Sequence, residues 1–178
     1  KNLSISVGDE GGFAPMISKN EEALDLIVSA IKKSGFKNGK DVSICLDIAA
    51  NELIKKKKYS IHSKKFESVD QSIKKYSAIV KKFKIKSLED PFSENDWFSW
   101  NKLMKTIKKI QIVGDDLYVT NITRLKKGFL NNSSNAILIK PNQIGTVSET
   151  LEVIRFAHLS GFKTIISHRS GDSEDTFI

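Results

Sequence analysis

Short apolar runs recur along the chain: VSICLD at 42–47, IKSLE at 85–89, IQIVG at 110–114, AILIK at 136–140 and KTIIS at 163–167, with LSISV at 3–7 as a further candidate. Each is rich in Ile, Val or Leu and none alternates cleanly, the pattern of parallel strands buried on both faces. The segments between them carry helical spacing instead. Leu24, Ile27, Val28 and Ile31 share one face, behind a Ser18–Glu21 pair spaced as a capping box and ahead of Gly35 at the place of a C-terminal cap. Ile73, Tyr76, Val80 and Phe83 form the next stripe, opened by Ser68 and Gln71. Trp97, Trp100 and Met104 mark a third helix, and Ile122 and Leu125 a short fourth. Val147, Leu151 and Ile154 mark the last, opened by Thr146 and Glu149. Aromatic residues at this spacing read as helix faces lying on a sheet.

Strand alternating with helix predicts βαβ units with right-handed crossovers. Two architectures fit, an open doubly wound sheet or part of a (β/α)8 barrel. No Gly-rich phosphate loop follows a strand with dinucleotide spacing, which weakens the first. Six strands fall short of the eight that close the second. The ends also read as cut, with no initiator Met and a stop just after a dense polar motif. The expectation is therefore an α/β fold, a partial (β/α)8 barrel of about six parallel strands, taken from a longer protein.

Composition narrows the setting. Hydrophobic residues are 39% and charged residues 28%, as in a globular domain. The apolar runs are too short to span a membrane. The N-terminal KNLSIS lacks a signal-peptide pattern, and the one cysteine, Cys45, allows no internal disulfide. The expectation is a reducing, cytoplasmic setting without membrane contact. The net charge of +8 is carried mostly by lysine, in KKKK at 55–58 and in scattered KK pairs. The runs are spread out, and neither arginine nor aromatic residues interleave them as a nucleic-acid surface would want. They read as a solvated face, with nucleic acid not expected as a partner.

The polar residues that follow each apolar run carry the chemistry. VSICLD ends on Asp47, IKSLE ends on Glu89 with Asp90 next, and IQIVG runs into Asp115 and Asp116. AILIK ends on Lys140, and KTIIS runs into His168, Arg169 and Ser170. In a parallel barrel the C-terminal strand ends form one rim, where barrel enzymes do their chemistry. Asp47, Glu89 and Asp115 gathered there would repel one another strongly, so a positive charge must sit among them. Three carboxylates plus water suit Mg²⁺, a hard cation that prefers oxygen. The alternative is that each acid caps the next helix or pairs with a neighbour. For Lys140 two readings stand. Beside a divalent cation its ammonium is disfavoured and a neutral lysine becomes a general base; otherwise it is a plain ion-pair partner of the same acids. In VGDEGGFAP at 7–15, Gly11 and Gly12 allow a sharp turn that would hold Glu10, an acid able to give or take a proton opposite Lys140. In SHRSGDSED at 167–175, Arg169 with Ser170 suits a phosphate or carboxylate, while Asp172, Glu174 and Asp175 read as caps of a following helix.

VGDEGGFAP, LDIAANE, SLEDPFSENDW, QIVGDDLYVTN, ILIKPNQIGT and ISHRSGDSEDT, in this order, closely resemble the enolase family, and the likeness runs through essentially all 178 residues. The resemblance implies an enolase-type TIM barrel, with residues 1–178 as part of the C-terminal catalytic domain. An N-terminal α+β domain with a mobile loop, the first barrel strands, and a C-terminal segment with another active-site lysine would lie elsewhere. The implied activity is reversible Mg²⁺-dependent dehydration of 2-phosphoglycerate to phosphoenolpyruvate, a lyase step of glycolysis. The implied roles are Lys140 as base, Glu10 as the acid that protonates the leaving hydroxyl, and Asp47, Glu89 and Asp115 as metal ligands. Ser167, His168, Arg169 and Ser170 would bind substrate, with a second Mg²⁺ near the phosphate. The family is usually dimeric or octameric. The chain departs from its pattern at Asn51, where serine is usual, at Leu53–Ile54, where a Phe-Tyr pair is common, and at Pro141, where Phe, Val or Leu is frequent. The fragment alone is expected to be inactive. Rival readings are another barrel of the superfamily, such as an acid-sugar dehydratase or racemase, which would not be expected to share GDEGGFAP and SHRSGDSED. A non-catalytic basic module binding RNA or protein is the rival of a different class.

Overall fold

The computed structural model describes residues 3–8, 11–56, 58–61, 65–169 and 174–178. Helix α1, Asn20–Lys33, ends as its sequence predicts. Gly35 takes a left-handed φ of 84°, its N–H reaches the Lys32 carbonyl, and the Phe36 N–H reaches back to Ile31, which is the Schellman closure. Its start differs from expectation. The N-cap is Lys19 and no side chain caps the helix, so the Ser18–Glu21 box does not form. Ser18 lies one residue too early for its hydroxyl to meet the first turn.

Strand β1, Cys45–Asp47, is followed by a 3-10 turn, Ala50–Leu53, and a small hairpin of β2, Ile54–Lys55, and β3, Lys58–Tyr59. Helix α2, Val69–Phe83, opens with the predicted reciprocal capping by Ser68 and Gln71. Then come β4 (Ser87–Glu89), α3 (Trp97–Thr106), β5 (Gln111–Gly114), α4 (Ile122–Leu130), β6 (Ala136–Ile139), the single-turn α5 (Pro141–Ile144), α6 (Val147–Leu159) and β7 (Lys163–Ile166).

The five long-range strands form one sheet in the order β1-β4-β5-β6-β7, and every neighbouring pair is parallel. Sheet order repeats chain order, with at least one helix in every crossover. A doubly wound sheet would reverse direction at a switch point; this one advances one strand at a time, as a barrel wall does. The two faces differ accordingly. Leu88, Ile112, Ile137 and Ile139 pack into the large core that holds Ile73, Tyr76, Trp100, Leu103, Leu125 and Val153 from the helices. On the other face Val113, Ala136, Leu138 and Ile165 form a small cluster to which no helix contributes, the inner wall of an open barrel.

Two further expectations are corrected. Among the described residues the sheet has five strands where about six were expected: residues 3–6 form no strand, and Val7 makes only an isolated bridge to Phe13. Ile5 is 80% exposed. A short apolar run becomes a strand only when a partner takes up its backbone hydrogen bonds, and no described strand does so here. The face expected for α6 is also rotated. Val147 and Leu151 lie outward, and the buried positions are Thr150, Val153 and Ala157. Small residues let this helix lie close on the sheet, which the apolar count could not reveal.

Candidate active site

Residue parity fixes which strand-end groups meet. Asp47 pairs with Glu89 in the β1–β4 register, and Glu89 pairs with Val113. Successive strand residues point to opposite faces, and Val113 lies on the inner wall. Asp47 and Glu89 therefore point inward. Asp115, two residues past Val113, shares that direction, as do Lys140, two past Leu138, and Ser167, two past Ile165. Asp47 and Glu89 stand level, and Asp115 and then Lys140 each climb two residues in register, as the tilt of barrel strands requires at one height on the axis.

Lys140 ends β6 as the N-cap of α5, with Pro141 at the first helical position. Proline is suited there because that N–H would have no helical partner, so this departure from the family pattern costs nothing locally. The Lys140 Nζ is ion-paired to Asp115 Oδ2, both side chains being largely buried. Gln143 Nε2 donates to the other oxygen, Asp115 Oδ1, at 2.9 Å. Asp47 Oδ1 accepts from the Ala49 N–H at 3.0 Å, in a loop turned by a left-handed Ala49.

Among the described residues, the acids at the rim outnumber the cation, Lys140, that opposes them. Glu89 is pushed up to about 7 by burial first, then by Asp47, Asp115 and Asp90, with Lys140 opposing. Asp47 keeps contact with solvent, yet burial of part of its carboxyl raises it, as do Asp115 and Asp116; the Ala49 amide and Lys140 act the other way. Each group feels the others, so the acids share one electrostatic site. Among the described residues no hydrogen-bond donor engages the Glu89 carboxylate. Such a set of hard oxygen donors in electrostatic excess could hold a divalent cation.

Among the described residues, the carboxylates in closest mutual approach are Asp90, Asp115 and Asp116, whose oxygens lie within 4.8 Å of one another. This set shares only Asp115 with the one expected from sequence. Asp90 is otherwise engaged: its two oxygens accept the Asp115 and Asp116 N–H groups at 3.0 and 2.9 Å. Buried behind the rim, it is raised to about 7, chiefly by desolvation and against the pull of those amides. Its backbone is left-handed, φ 40°, directly before Pro91, a costly conformation that persists because the loop overdetermines it. Asp116 Oδ2 accepts from Asn51 Nδ2 at 2.8 Å, and Asn51 Oδ1 takes the Glu94 N–H at 3.0 Å. Asp90 and Asp116 therefore shape the rim, and Asp47, Glu89 and Asp115 face its interior.

Beneath the rim, Tyr118 wedges the loop after β5 in place. Its hydroxyl pairs with Ser134 Oγ at 2.7 Å, and its ring fills the space a side chain would need at Gly114 or Gly128. The next two residues, Val119 and Thr120, are both left-handed, φ 43° and 52°. β-branched residues rarely adopt that backbone, and this pair aims the buried Thr120 hydroxyl at Gln143 and the Lys140 N–H. Asp90, Thr120 and Gln143 were assigned no role in the sequence reading.

Ser167 donates to the His168 carbonyl at 3.1 Å, and His168 and Arg169 are exposed. A cavity of about 750 Å³ opens past the end of β7, lined in part by Pro141, Asn142, Ile166, Ser167 and His168; Lys140 does not line it. Asp47 lines a separate space of about 630 Å³ against α1. Glu10, Ser170 and Asp172 lie outside the described residues. No helix among the described residues is long and apolar enough to cross a membrane.

Comparison with known proteins agrees with this architecture. The family model described as the enolase C-terminal TIM barrel domain matches residues 1–178. An enolase of Pelagibacter ubique (strain HTCC1062) is 80% identical over 178 residues, all of this chain and 43% of that protein. The chain thus spans less than half the length of this curated relative.

Proposed function

The chain belongs to the family of the enolase C-terminal barrel, and on that premise we propose that it works, within a longer protein, as the catalytic barrel of a glycolytic lyase. The reaction is the reversible dehydration of 2-phosphoglycerate to phosphoenolpyruvate, with Mg²⁺ as cofactor. The observation that carries this reading is the convergence of Asp47, Glu89, Asp115 and Lys140 on the inner wall at one end of a parallel sheet. An N-terminal α+β domain, the first barrel strands and the end of the barrel complete the enzyme, which assembles as a homodimer or octamer in the cytoplasm.

Asp47, Glu89 and Asp115 would hold the metal. Bound there, Mg²⁺ supplies positive charge where the substrate carboxylate gains negative charge as its neighbouring proton leaves. Lys140, acting from its neutral form, takes that proton. It is placed for this by the end of β6 and by α5, which holds its backbone at the mouth. Glu10 would deliver a proton to the departing hydroxyl. Ser167, His168 and Arg169, which follow β7, and Ser170 would bind substrate, Arg169 and Ser170 at its phosphate. A base and a separate acid together complete an elimination without a free carbanion in water. The division of roles between a lysine base and magnesium is the general pattern of enolase-superfamily sites.

The test uses a full-length chimera in which these 178 residues replace the matching segment of the curated relative, a conservative graft at 80% identity. Lys140→Ala is expected to abolish exchange of the carbon-2 proton with deuterated solvent, followed by NMR. Exchange at the unsubstituted rate would remove Lys140 as the base.

A further inference from the structure

Four hydrogen bonds at the rim close into a ring that begins and ends on Lys140. The Lys140 backbone N–H donates to Thr120 Oγ1 at 2.9 Å. The Thr120 hydroxyl donates to Gln143 Oε1 at 2.7 Å. Gln143 Nε2 donates to Asp115 Oδ1 at 2.9 Å. Asp115 Oδ2 then accepts from Lys140 Nζ.

The direction of every bond is forced. An ionised carboxylate only accepts, so Gln143 must turn its amide NH₂ towards Asp115. That leaves the Gln143 carbonyl to face Thr120, which must donate to it. The Thr120 oxygen is then left with lone pairs alone for the Lys140 N–H. No member can be reversed without placing two acceptors or two donors face to face. Thr120 is fully buried and is held in its left-handed backbone by the loop that Tyr118 anchors, so the hydroxyl cannot turn to solvent for another partner. The left-handed Gly145, whose N–H reaches the Pro141 carbonyl, closes α5 after one turn and keeps Gln143 over Asp115.

We propose that Gln143 and Thr120 are positioning residues that fix the rotamer of Asp115, engaging Oδ1 and leaving Oδ2 aimed into the site. The proposal rests on Asp115 being a metal ligand, as in the function proposed above. A carboxylate free to rotate would lose entropy on each binding event and would swing towards solvent. A carboxylate tied at one oxygen presents the other in a single direction. Outer partners of this kind typically alter metal affinity or activity by about 10–100-fold when removed. Because the ring also passes through the Lys140 backbone, the same residues set the distance between metal site and base.

The experiment measures Mn²⁺ binding to the full-length chimera by electron paramagnetic resonance, with kcat and KM measured alongside. Gln143→Met keeps the volume and removes both bonds; Thr120→Val keeps the shape and removes the hydroxyl. Each is expected to weaken Mn²⁺ binding by about 10-fold or more and to lower kcat more than it raises KM. Thr120→Ser, which retains the hydroxyl, is expected to restore Mn²⁺ affinity. Thermal midpoints separate this from unfolding: if Thr120→Val is too unstable to assay, Gln143→Met, at a half-buried surface position, still decides. Asp115→Asn serves as the reference. If it loses Mn²⁺ while Gln143→Met and Thr120→Val bind as the unsubstituted protein does, the positioning role is overturned and the metal reading stands. If Asp115→Asn also binds Mn²⁺ unchanged, Asp115 is no ligand and both readings fall.

Discussion

Glu89→Gln is the perturbation that most directly probes the charge imbalance at the rim. Glu89 sits between Asp47 and Asp115 on the inner wall, and burial with its acidic neighbours lifts it from the ordinary 4.5 to about 7. At about 1.4 kcal/mol per unit, that rise sets a ceiling of about 3 kcal/mol on the cost of its ionised form in the fold. Solvent on the open side of the half-buried group lowers the figure, leaving about 1–3 kcal/mol. The sign follows from proton binding. Between pH 4.5 and about 7 the folded protein keeps a proton that the unfolded chain has released. Stability without metal therefore falls as pH rises through that window, and above it the full penalty is present. Asp90, also raised to about 7, contributes in the same direction. In EDTA at pH 8, Glu89→Gln in the full-length chimera is expected to raise the thermal midpoint; at pH 4.5 it should change little. With Mg²⁺ the order reverses. A cation bound only by the folded state stabilises it by about 2.7 kcal/mol at 100 times its dissociation constant, and the variant should lose most of that gain. The assay is thermal unfolding followed by circular dichroism at pH 4.5, 6, 7 and 8, with EDTA and with Mg²⁺. A variant destabilised at pH 8 in EDTA, or stabilised by Mg²⁺ as strongly as the unsubstituted protein, would refute the reasoning.

Glu10→Gln in the same chimera should spare carbon-2 proton exchange while stopping loss of the hydroxyl; equal loss of both would count against the separate acid and base. Gly128→Ala places a methyl carbon about where the Tyr118 hydroxyl now lies, at 2.2 Å. The expected cost is about 1–3 kcal/mol from overpacking, measured by thermal unfolding, with a fall in Mg²⁺ affinity because Tyr118 anchors the loop that carries Asp115. Asn51→Ser, which restores the residue usual in the family, shortens the side chain and removes its links to Asp116 and Glu94. A loss of about 1 kcal/mol is expected, and no change in unfolding midpoint would show that the three loops hold together without it.

The strand and helix order was legible in the sequence because both signals are local. Ser68 and Gln71 cap α2 within one turn, Gly35 closes α1 within one turn, and the apolar runs at 85–89, 110–114, 136–140 and 163–167 each contain the strand they predicted. Strand-end residues were legible for a second reason: a parallel wall sends every C-terminal strand end to one edge, so Asp47, Glu89, Asp115 and Lys140 could be assigned to one rim before any coordinates. Inward direction followed from the two-residue period once the register was known.

Other features depend on contacts between residues far apart in the chain, and no periodicity records them. Whether LSISV becomes a strand depends on a partner edge, and none of the described strands supplies one. Which side of α6 is buried depends on how closely Thr150 and Ala157 let it approach the sheet, not on where its largest side chains fall. Asn51 bridges three loops, and Asp90 behind the rim and the Thr120–Gln143 ring require left-handed backbone at Asp90, Val119 and Thr120, a conformation disfavoured by the β-branched pair and, at Asp90, by the proline that follows. The amino-acid sequence by itself therefore determined the order of elements and the chemistry carried at each strand end, because those follow from near-neighbour spacing. Tertiary packing alone decided which carboxylate oxygens are tied down and which face the interior, because that depends on donors brought together across the fold.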